Sequence, residues 1–381
     1  MFADEMICLR YCVFLVLLFC EKSMSDLDIG FTDTITENTL RAIRFERPEH
    51  IPIVFWINPA CWHHYPQDVL FKLMAEHGLL FPDFSSENAV LPKLAPWEQA
   101  GKPYIDAWGC VWQTTDDGIT GTVTKHPLED WNVLQDFSPP DPSLTNGMAP
   151  INWLAIQDKI QKVAAEGGYV CGGLEHGHTF LRLSYLRGYE KLLLDMADKD
   201  GRLRHLLEMV ESFNLGIVQR YLDLGVVMMR YPEDLGMQLG PMLSPKHFIT
   251  YIKPTYEHLI TPAHKANCLV HLHSDGDIRE LVNDLISSGV DVLNLQDLVN
   301  GIDWIASNLK GRICIDIDID RQQITRFGSP GQIDNLIRKE VEILGSSEGG
   351  LMMIYGLYPG VPLENIRATM DAMERYATYY S

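Results

Sequence analysis

Short apolar segments that alternate with amphipathic ones constrain the fold of this chain more than any other feature. From residue 165 onward the sequence contains six apolar runs of strand length, and residues 51–58 supply a seventh. The six runs are residues 168–174, 226–231, 267–273, 291–296, 312–318 and 350–356. Between two of them, Ile278, Leu281, Val282, Leu285 and Ile286 recur at helical spacing, which predicts a helix with one face packed on a sheet.

The repeated order of strand, helix and strand predicts right-handed crossovers and a parallel sheet that is buried on both faces. Seven strands, with an eighth in residues 104–113, favour a closed (β/α)8 barrel, the TIM barrel of the α/β class, over an open sheet. Residues 114–128 are more typical of a hairpin that turns at Asp117 and Gly118. Ser244 and Ser329 each precede a proline, which predicts the starts of two helices. Neither a GxGxxG nor a P-loop pattern follows any of the strands, which argues against dinucleotide and P-loop sites.

Residues 1–23 are predicted to lie outside the domain. They contain an apolar stretch that is too short to span a membrane comfortably. Asp4 and Glu5 precede this stretch and no small-residue cleavage site follows it, so a secretory signal is less well supported than an upstream extension before Met24. We expect residues 1–23 to be a non-native or disordered extension, with a signal or anchor as the alternative. Residues 24–381 are expected to form a single barrel domain.

The charge and the cysteines limit the expected partners. A formal net charge of −20 repels phosphate backbones and anionic lipid surfaces, so neither nucleic acid nor a membrane is expected as a partner. A small-molecule substrate suits this charge better. The eight cysteines contain no CxxC pair and therefore predict reduced thiols, which favours a cytoplasmic location.

Most of the predicted strands end in groups that bind metals, transfer protons or form hydrogen bonds. In a barrel the carboxyl ends of the strands meet at one rim, so these groups are expected to surround a common site. His271 and His273 point to the same side of their strand, and Asp275 continues that side. Imidazole and carboxylate suit zinc or another divalent metal, and we predict a metal at His273 and Asp275. The alternative is that His271 packs inside the wall and that Asp275 or Asp277 caps the next helix.

The other strand ends supply candidates for catalysis and substrate binding. Glu175, His176 and Asp234 are predicted to act as general acid or base, because positioned carboxyl and imidazole groups can exchange protons with a substrate. A polar loop without a catalytic role is the alternative for these residues. The predicted substrate-binding residues, chosen as polar groups near the rim, are Asn58, His178, Gln238, Asn294, Gln296, Asp318, Arg321 and Tyr355.

Three segments resemble the uroporphyrinogen decarboxylase superfamily. They are "EDLGMQLGPMLSPKHF", "HSDGDIRELVNDLISSGVDVLN" and "GGLMMIYGLYPGVPLENIRA", in that order along the chain. The likeness spans residues 40–380. It implies a TIM barrel, and it implies one of two activities, because the superfamily contains corrinoid-dependent methyltransferases as well as cofactor-free decarboxylases.

The chain departs from both branches at defined positions. The stretch "VFWINPACWHHYP" lacks the arginines with which the decarboxylases hold the carboxylates of their substrate. In the methyltransferases zinc binds a His-x-Cys pair and a later cysteine. The resemblance aligns His273 with that histidine, Asp275 with the first cysteine and Tyr355 with the last. Replacement of both sulfur ligands implies a harder metal site or none.

We therefore expect a methyltransferase that moves a methyl group from a small ether or amine substrate to a corrinoid on a separate cobalamin-binding protein. The alternative is a cofactor-free carboxy-lyase of the uroporphyrinogen decarboxylase type, which protonates a substrate carbon. A third hypothesis, outside enzymology, is a barrel that has lost catalysis and only binds a ligand.

Overall fold

Seven parallel strands form one curled sheet in the computed structural model, which describes residues 34–381. The strands of the described chain are β1 Ile53–Ile57, β2 Tyr104–Ile105, β3 Val111–Gln113, β4 Thr122–Lys125, β5 Cys171–Gly173, β6 Met228–Pro232, β7 Gly236–Met237, β8 Gly240–Pro241, β9 Leu269–Ser274, β10 Val292–Gln296, β11 Cys314–Asp318 and β12 Leu351–Leu357. The large sheet has the order β1, β12, β11, β10, β9, β6 and β5, and every bonded pair in it is parallel. The first strand of this sheet along the chain, β1, therefore pairs with the last, β12, as in a barrel.

The fold prediction is confirmed in part. The α/β class and the seven predicted parallel strands are present, whereas no eighth strand closes the sheet between β1 and β5 within residues 34–381. The candidate for that strand, residues 104–113, instead forms β2 and β3, which pair antiparallel in a separate sheet with β4. Asp117 and Gly118 lie in the connection from β3 to β4, as the hairpin prediction requires.

Asp106 explains why residues 104–113 do not form a continuous strand. Its Oδ1 accepts hydrogen bonds from the backbone N–H of Trp108 (3.0 Å) and Cys110 (2.9 Å), which folds the chain into a turn between β2 and β3. Its Oδ2 accepts from Trp112 Nε1 and from Arg182, at 3.0 and 2.7 Å. This buried ion pair ties the small sheet to a helix that follows β5.

Helices connect the parallel strands. Those of the described chain are α1 Ile35–Arg44, α2 Cys61–His64, α3 Gln67–Glu76, α4 Trp153–Ala165, α5 Phe180–Arg187, α6 Tyr189–Asp198, α7 Gly201–Asp223, α8 Pro245–His247, α9 Lys253–Lys265, α10 Val282–Ser287, α11 Asp297–Asn300, α12 Ile302–Asn308, α13 Ile324–Phe327, α14 Pro330–Leu344 and α15 Leu363–Ala377, with a π-helix at Phe248–Ile252 and 3-10 turns at Ser86–Asn88, Pro96–Glu98 and Trp131–Val133. Both predicted Ser-Pro starts are confirmed, because Ser244 caps α8 and Ser329 forms a capping box with Gln332 in α14.

The helix predicted from Ile278 onward begins later, at Val282 in α10. Ile278 and Leu281 are nevertheless fully buried, so the apolar stripe packs as predicted although its first residues form turns. Asp277 accepts a hydrogen bond from the backbone N–H of Arg279 (3.2 Å), which agrees with a local capping role for this aspartate. Gly289 follows the helix with a φ of +105°, a conformation that suits glycine.

The register of the sheet separates its two faces. Leu272 of β9, Leu295 of β10 and Ile317 of β11 point outward and are fully buried under the helices. On the inward face His273 lies opposite Asn294, and Asn294 lies opposite Asp316. Because side chains alternate along a strand, a polar row crosses the inside of the sheet while its outside is apolar. The same alternation places Asp318 and Gln296 one step nearer to the carboxyl ends.

The space inside the sheet is open to solvent. Inward-facing Trp56, Arg230, Pro232, His273 and Ile354 are only half-buried, although they lie near the centre of the molecule. The outward-facing residues of β6, β9 and β12 are almost completely buried. A closely packed barrel core would bury both faces equally. At these positions the inward face of the sheet is therefore less completely covered than the outward face.

A buried pair of carboxyl groups lies between α11 and α14. Glu340 of α14 and Asp297 of α11 are both at most 1% exposed, and each carboxyl group affects the pKa of the other. Among the described residues neither Glu340 oxygen receives a hydrogen bond from an N–H or a hydroxyl group. Burial raises the pKa of Glu340 well above its ordinary value, and the charge of Asp297 raises it further. The pair therefore shares a proton near neutral pH.

We expect Glu340→Gln to make folding stability less dependent on pH. A raised folded-state pKa gives stability that is fully present below the unfolded carboxyl pKa of about 4.3 and is lost as the pH rises toward the folded value, by up to about 1.4 kcal/mol per pH unit for one proton. The glutamine amide keeps a donor toward Asp297 without ionising. Chemical denaturation at pH 5 and pH 8 checks this, with exposed Glu342→Gln on the same helix as control. Parallel pH curves for wild type and Glu340→Gln would refute the shared proton.

Some predictions concern the chain outside the fold just described. Residues 1–23 lie outside the described residues, and the extent of the single domain stays a prediction. Within residues 34–381, no helix has both the length and the apolar character that crossing a membrane requires. The five cysteines of this part of the chain, Cys61, Cys110, Cys171, Cys268 and Cys314, are buried free thiols.

Candidate active site

Two loops at the carboxyl ends of β6 and β9 are locked together by backbone contacts. The N–H of Glu233 donates to the carbonyl of His273 (3.0 Å), and the N–H of Gly236 donates to the carbonyl of Asp275 (3.2 Å). Gly276 has a φ of +81°, and a Cβ there would lie 2.2 Å from the carbonyl carbon of Gly236. Two backbones approach this closely only where a residue has no side chain. This contact sets the spacing of the polar groups that the loops carry.

Four side chains form a row at the rim: His176, Asp234, His273 and Asp275. His176 Nε2 lies 3.5 Å from Asp234 Oδ2, and His273 Nε2 lies 3.6 Å from Asp234 Oδ1. On its other side His273 Nε2 lies 3.7 Å from Asp275 Oδ1. The ligand atoms of His176, Asp234 and His273 all lie within 4.8 Å of one another. Three loops distant in sequence therefore bring two imidazoles and a carboxylate to one point.

Arg321 extends the row beyond Asp275. One of its terminal nitrogens donates to Asp275 Oδ1 and to Asp318 Oδ2, both at 2.8 Å. Its guanidinium also lies over the ring of Tyr358, 5.4 Å from the centroid. Burial alone would lower the pKa of Arg321, but Asp318 and Asp275 outweigh it and raise the pKa. Arg321 is thus a permanent cation that orients two carboxylates at the rim.

The charges of His176 and Asp234 depend on each other. Burial among protein atoms disfavours the imidazolium, but the hydrogen bond and the charge of Asp234 outweigh it and raise the pKa of His176 to about 9. The side chain of His176 remains 47% exposed. Burial would also raise the pKa of Asp234, yet His176 and His273 hold it well below its usual range. Without another cation at the site, His176 is protonated and Asp234 is ionised at neutral pH.

The three predicted catalytic residues are not equivalent in the structure. His176 and Asp234 belong to the row, whereas Glu175 lies outside it. Its Oε2 accepts a hydrogen bond from Asn146 Nδ2 (2.7 Å), a residue in the loop before α4. Asn146 also accepts from the backbone N–H groups of Met148 and Ala149. Glu175 is therefore attached to a neighbouring loop, a partner that sequence spacing did not indicate.

Three of the predicted substrate-binding residues lie at the rim. Asp318 and Arg321 adjoin the row, although both are occupied by the ion pair described above. Burial raises the pKa of Asp318 well above its usual value, and the charge of Arg321 opposes this change only in part. Gln238 is exposed at the turn of the β7–β8 hairpin.

The other five predicted substrate-binding residues are buried, and four of them are used within the fold. Asn58 accepts from the N–H of Ala60, and Gln296 accepts from the N–H of Gly276. Asn294 contacts His273 and the backbone of Asp316. His178 packs against Tyr231 and Tyr256, and burial lowers its pKa to about 3.

Tyr355 is placed differently from the expectation. It is fully buried and pairs in register with Phe55 of β1, with the two rings 5.2 Å apart. Ile354 is on the inward face of β12, because it pairs with Asp318, so the alternation turns Tyr355 toward the helices. This placement does not support a substrate contact from Tyr355, nor the metal position that the resemblance gave it.

Glu233 has a role that the sequence did not reveal. Its carboxylate accepts the backbone N–H groups of Thr179, Phe180 and Leu181 and the hydroxyl of Tyr256, at 2.9 to 3.0 Å. Burial raises its pKa to about 7, although these donors oppose the change. Glu233 thus holds the start of α5, and with it the loop that carries His176, against the loop that carries Asp234. Its position directly before Asp234 was the only available signal.

Comparison with known proteins agrees with this architecture. A methyltransferase from Methanosarcina mazei superposes with a TM-score of 0.59 at 18% sequence identity, covering 92% of this chain and 100% of that one. A B12-independent methionine synthase from Shewanella sp. W3-18-1 gives a TM-score of 0.41 at 10% identity, over 61% of this chain and 67% of that one. At such identities the first likeness shows the fold alone. A comparison with curated proteins gives no match.

A match to a protein-family model identifies the family of this chain. The model described as uroporphyrinogen decarboxylase (URO-D) matches residues 106–376, which include every strand of the large sheet except β1 and all four residues of the row. The three quoted segments that carry the sequence resemblance lie within this match. The chain belongs to the uroporphyrinogen decarboxylase (URO-D) family.

Proposed function

We propose that this protein is a metal-dependent methyltransferase, which takes a methyl group from a small methylated substrate and passes it to a corrinoid carried by a partner protein. The convergence of His176, Asp234 and His273 on one point, at 3.5 and 3.6 Å, is the observation that carries this proposal. Family membership and the fold shared with a methyltransferase support it.

The spacing of these groups fits a divalent cation. In a tetrahedral zinc site with bonds of about 2.0 Å, neighbouring ligand atoms lie about 3.3 Å apart. Asp234 lies 3.5 and 3.6 Å from the two histidines through its two oxygens, and one ligand atom from each of the three residues lies within 4.8 Å of the others, so small side-chain movements would bring them to a cation. Two imidazoles and one carboxylate would leave a coordination position for the substrate, as in catalytic zinc sites. Asp275 would serve as a fourth ligand or as a hydrogen-bond acceptor beside the cation.

The donor set also suggests the kind of substrate. The row offers nitrogen and oxygen donors without sulfur, which suits a harder cation environment than a thiolate site. A thiol methyl acceptor is therefore less well supported than an ether or amine methyl donor. A cation at this position would withdraw electron density from the oxygen or nitrogen that bears the methyl group.

The chain's own residues then have separate tasks. Asp234 and the two histidines would hold the substrate's heteroatom at the rim, and the half-buried inward face of the sheet would contact the rest of the molecule. Asp275 is 38% exposed and is oriented by Arg321, so it can pass a proton from water to the departing atom. The methyl acceptor would approach from the open side of the rim.

A cofactor-free decarboxylase is the alternative. Asp234 and Asp275 lie at the rim, and Arg321, the cation beside them, is already paired with Asp275 and Asp318. A substrate with several carboxylates would meet repulsion there. This arrangement favours methyl transfer over decarboxylation of a porphyrinogen, and a barrel that only binds ligands would not require the matched spacing of the row.

Methyl transfer to free cob(I)alamin tests the proposal directly. Protein loaded with zinc is offered a panel of methoxyarenes and methylamines, and the conversion of cob(I)alamin to methylcobalamin is followed by absorbance. We expect turnover with one class of donor, loss of turnover after chelation, and recovery when zinc is restored. Decarboxylation of a porphyrinogen by metal-free protein, or no turnover with any donor, would contradict the proposal.

A further inference from the structure

The geometry points to Asn294 as a positioning residue that fixes the tautomer of His273, so that the Nε2 lone pair faces Asp234 and Asp275. This inference concerns the site of the proposed function. The effect of the tautomer on catalysis rests on that function, whereas the tautomer itself does not. The tautomer itself follows from hydrogen bonds inside the sheet, where Asn294 is 3% exposed and lies directly opposite His273 in the β9–β10 register.

The orientation of the Asn294 amide is set by the backbone. Its Nδ2 donates to the carbonyl oxygen of Asp316 at 2.6 Å. If the amide were rotated by 180°, two oxygens that can only accept would face each other at that distance. The Oδ1 atom of Asn294 therefore points the other way, toward His273 Nδ1, which lies 2.5 Å from it.

The position of the proton on His273 follows from this orientation. Because Asn294 Oδ1 can only accept, His273 Nδ1 must carry the proton that joins them. A neutral imidazole has one N–H, so Nε2 is left with its lone pair. Asn294 thus presents His273 Nε2 as a donor of electrons to a cation, without itself touching the substrate.

The groups around Nε2 indicate which kind of ligand would bind to this nitrogen. Asp234 Oδ1 and Asp275 Oδ1 lie 3.6 and 3.7 Å from Nε2, and both are acceptors. A lone pair facing two carboxylate oxygens is repelled by them, so this position favours a positive charge, either a proton on Nε2 or a metal cation that binds all three groups. The Asn294 contact thus directs Nε2 to the point where the two carboxylates meet, as the outer-shell partners of metal-binding histidines do.

The test combines a tautomer measurement with zinc binding. Long-range proton–nitrogen NMR spectra of zinc-free protein with ¹⁵N-labelled histidine report which ring nitrogen bears the proton, and His273→Gln assigns the signal. We expect the Nδ1–H form in the wild type and a mixed or Nε2–H form in Asn294→Leu.

Calorimetric titration with zinc supplies the second measurement. Loss of an outer-shell partner of a metal-binding histidine costs about 10- to 100-fold in affinity, which is the decrease we expect for Asn294→Leu. The control is Asn365→Leu, which removes an equally buried amide bonded to the carbonyls of Thr325 and Gly328.

The outcomes separate this inference from the proposed function. An Nε2–H tautomer in the wild type, or zinc affinity of Asn294→Leu within twofold of the control, overturns the positioning role even if the enzyme transfers methyl groups. An Nδ1–H tautomer in a protein that does not bind zinc supports the positioning role and removes the metal from the proposed function. The wild-type spectrum decides the tautomer even if Asn294→Leu does not fold.

Discussion

His273→Gln is expected to abolish zinc-dependent methyl transfer. The substitution removes the nitrogen that lies between Asp234 and Asp275, at 3.6 and 3.7 Å, and with it the member common to both clusters of candidate ligands. A bound cation contributes several kcal/mol to a reaction of this type, and each 1.4 kcal/mol is a factor of about ten, so we expect a decrease of about 10³-fold or more in kcat/KM. Zinc affinity should fall by more than about 100-fold, because loss of even an outer-shell partner can cost that much.

The control for this variant is His63→Gln. His63 is an exposed histidine of α2, and it lies outside the row. We expect its replacement to leave zinc affinity and turnover unchanged. Equal zinc affinity of His273→Gln and His63→Gln would mean that zinc binds elsewhere, and undiminished turnover of His273→Gln would show that the row is not the catalytic site.

Gly276→Ala should also reduce activity strongly, although it changes no polar group. A Cβ at this position would lie 2.2 Å from the carbonyl carbon of Gly236, so one of the two loops must move. The left-handed backbone costs about 1–2 kcal/mol for an alanine and the forced packing about 1–3 kcal/mol more. Because the same loops carry Asp234 and Asp275, a displacement of about 1 Å can cost about 10²-fold in rate.

Gly311→Ala separates the two causes. Gly311 has a similar φ of +74°, yet a Cβ there would meet nothing within 4 Å. This control is therefore expected to show the backbone cost alone, with normal zinc affinity and normal turnover. Thermal unfolding, zinc titration and the methyl-transfer assay are measured on both variants. If Gly276→Ala matched Gly311→Ala in all three, the contact between the loops would not determine the geometry of the site.

The sequence predicted β12 well because its residues are apolar on both faces. A continuous apolar run such as residues 350–356 marks a strand reliably. The same property hides which residues face inward, since both faces are apolar and the period of two disappears. Tyr355 illustrates the limit, because register with the neighbouring strands is needed to turn it toward the helices. In β9 the alternation of Leu and His leaves the inward face visible in the sequence.

The sequence identified the residues of the row, but it did not show which of them contact each other. His176, Asp234 and His273 stand at the ends of three different strands, and the barrel hypothesis was sufficient to expect them near one another. Which imidazole meets which carboxylate depends on loop geometry, above all on the Gly236–Gly276 contact. Long-range contacts of this kind leave no periodic signal in a single sequence. For the same reason Asn294 was expected to bind substrate, although its partners are His273 and the backbone of Asp316.

The main difference from the expected fold is that, within residues 34–381, no eighth strand closes the sheet into a barrel. The turn at Asp106 forms because the Asp106 carboxylate accepts hydrogen bonds from nearby backbone N–H groups. The stretch "DAWGC" carries a visible signal for this turn, because both aspartate and glycine favour turns. The strand-like residues on either side dominated the prediction. Their antiparallel pairing with β4 depends on contacts with α5, including the ion pair with Arg182.

The most direct test of the central claim is anomalous diffraction from crystals grown with zinc, with data collected on both sides of the zinc absorption edge. We predict one peak per chain at the rim, within about 2.0–2.2 Å of Nε2 of His176, Nε2 of His273 and a carboxylate oxygen of Asp234. Absence of a peak there at saturating zinc, with peaks only at exposed histidines such as His63, would contradict a metal-dependent site in this protein.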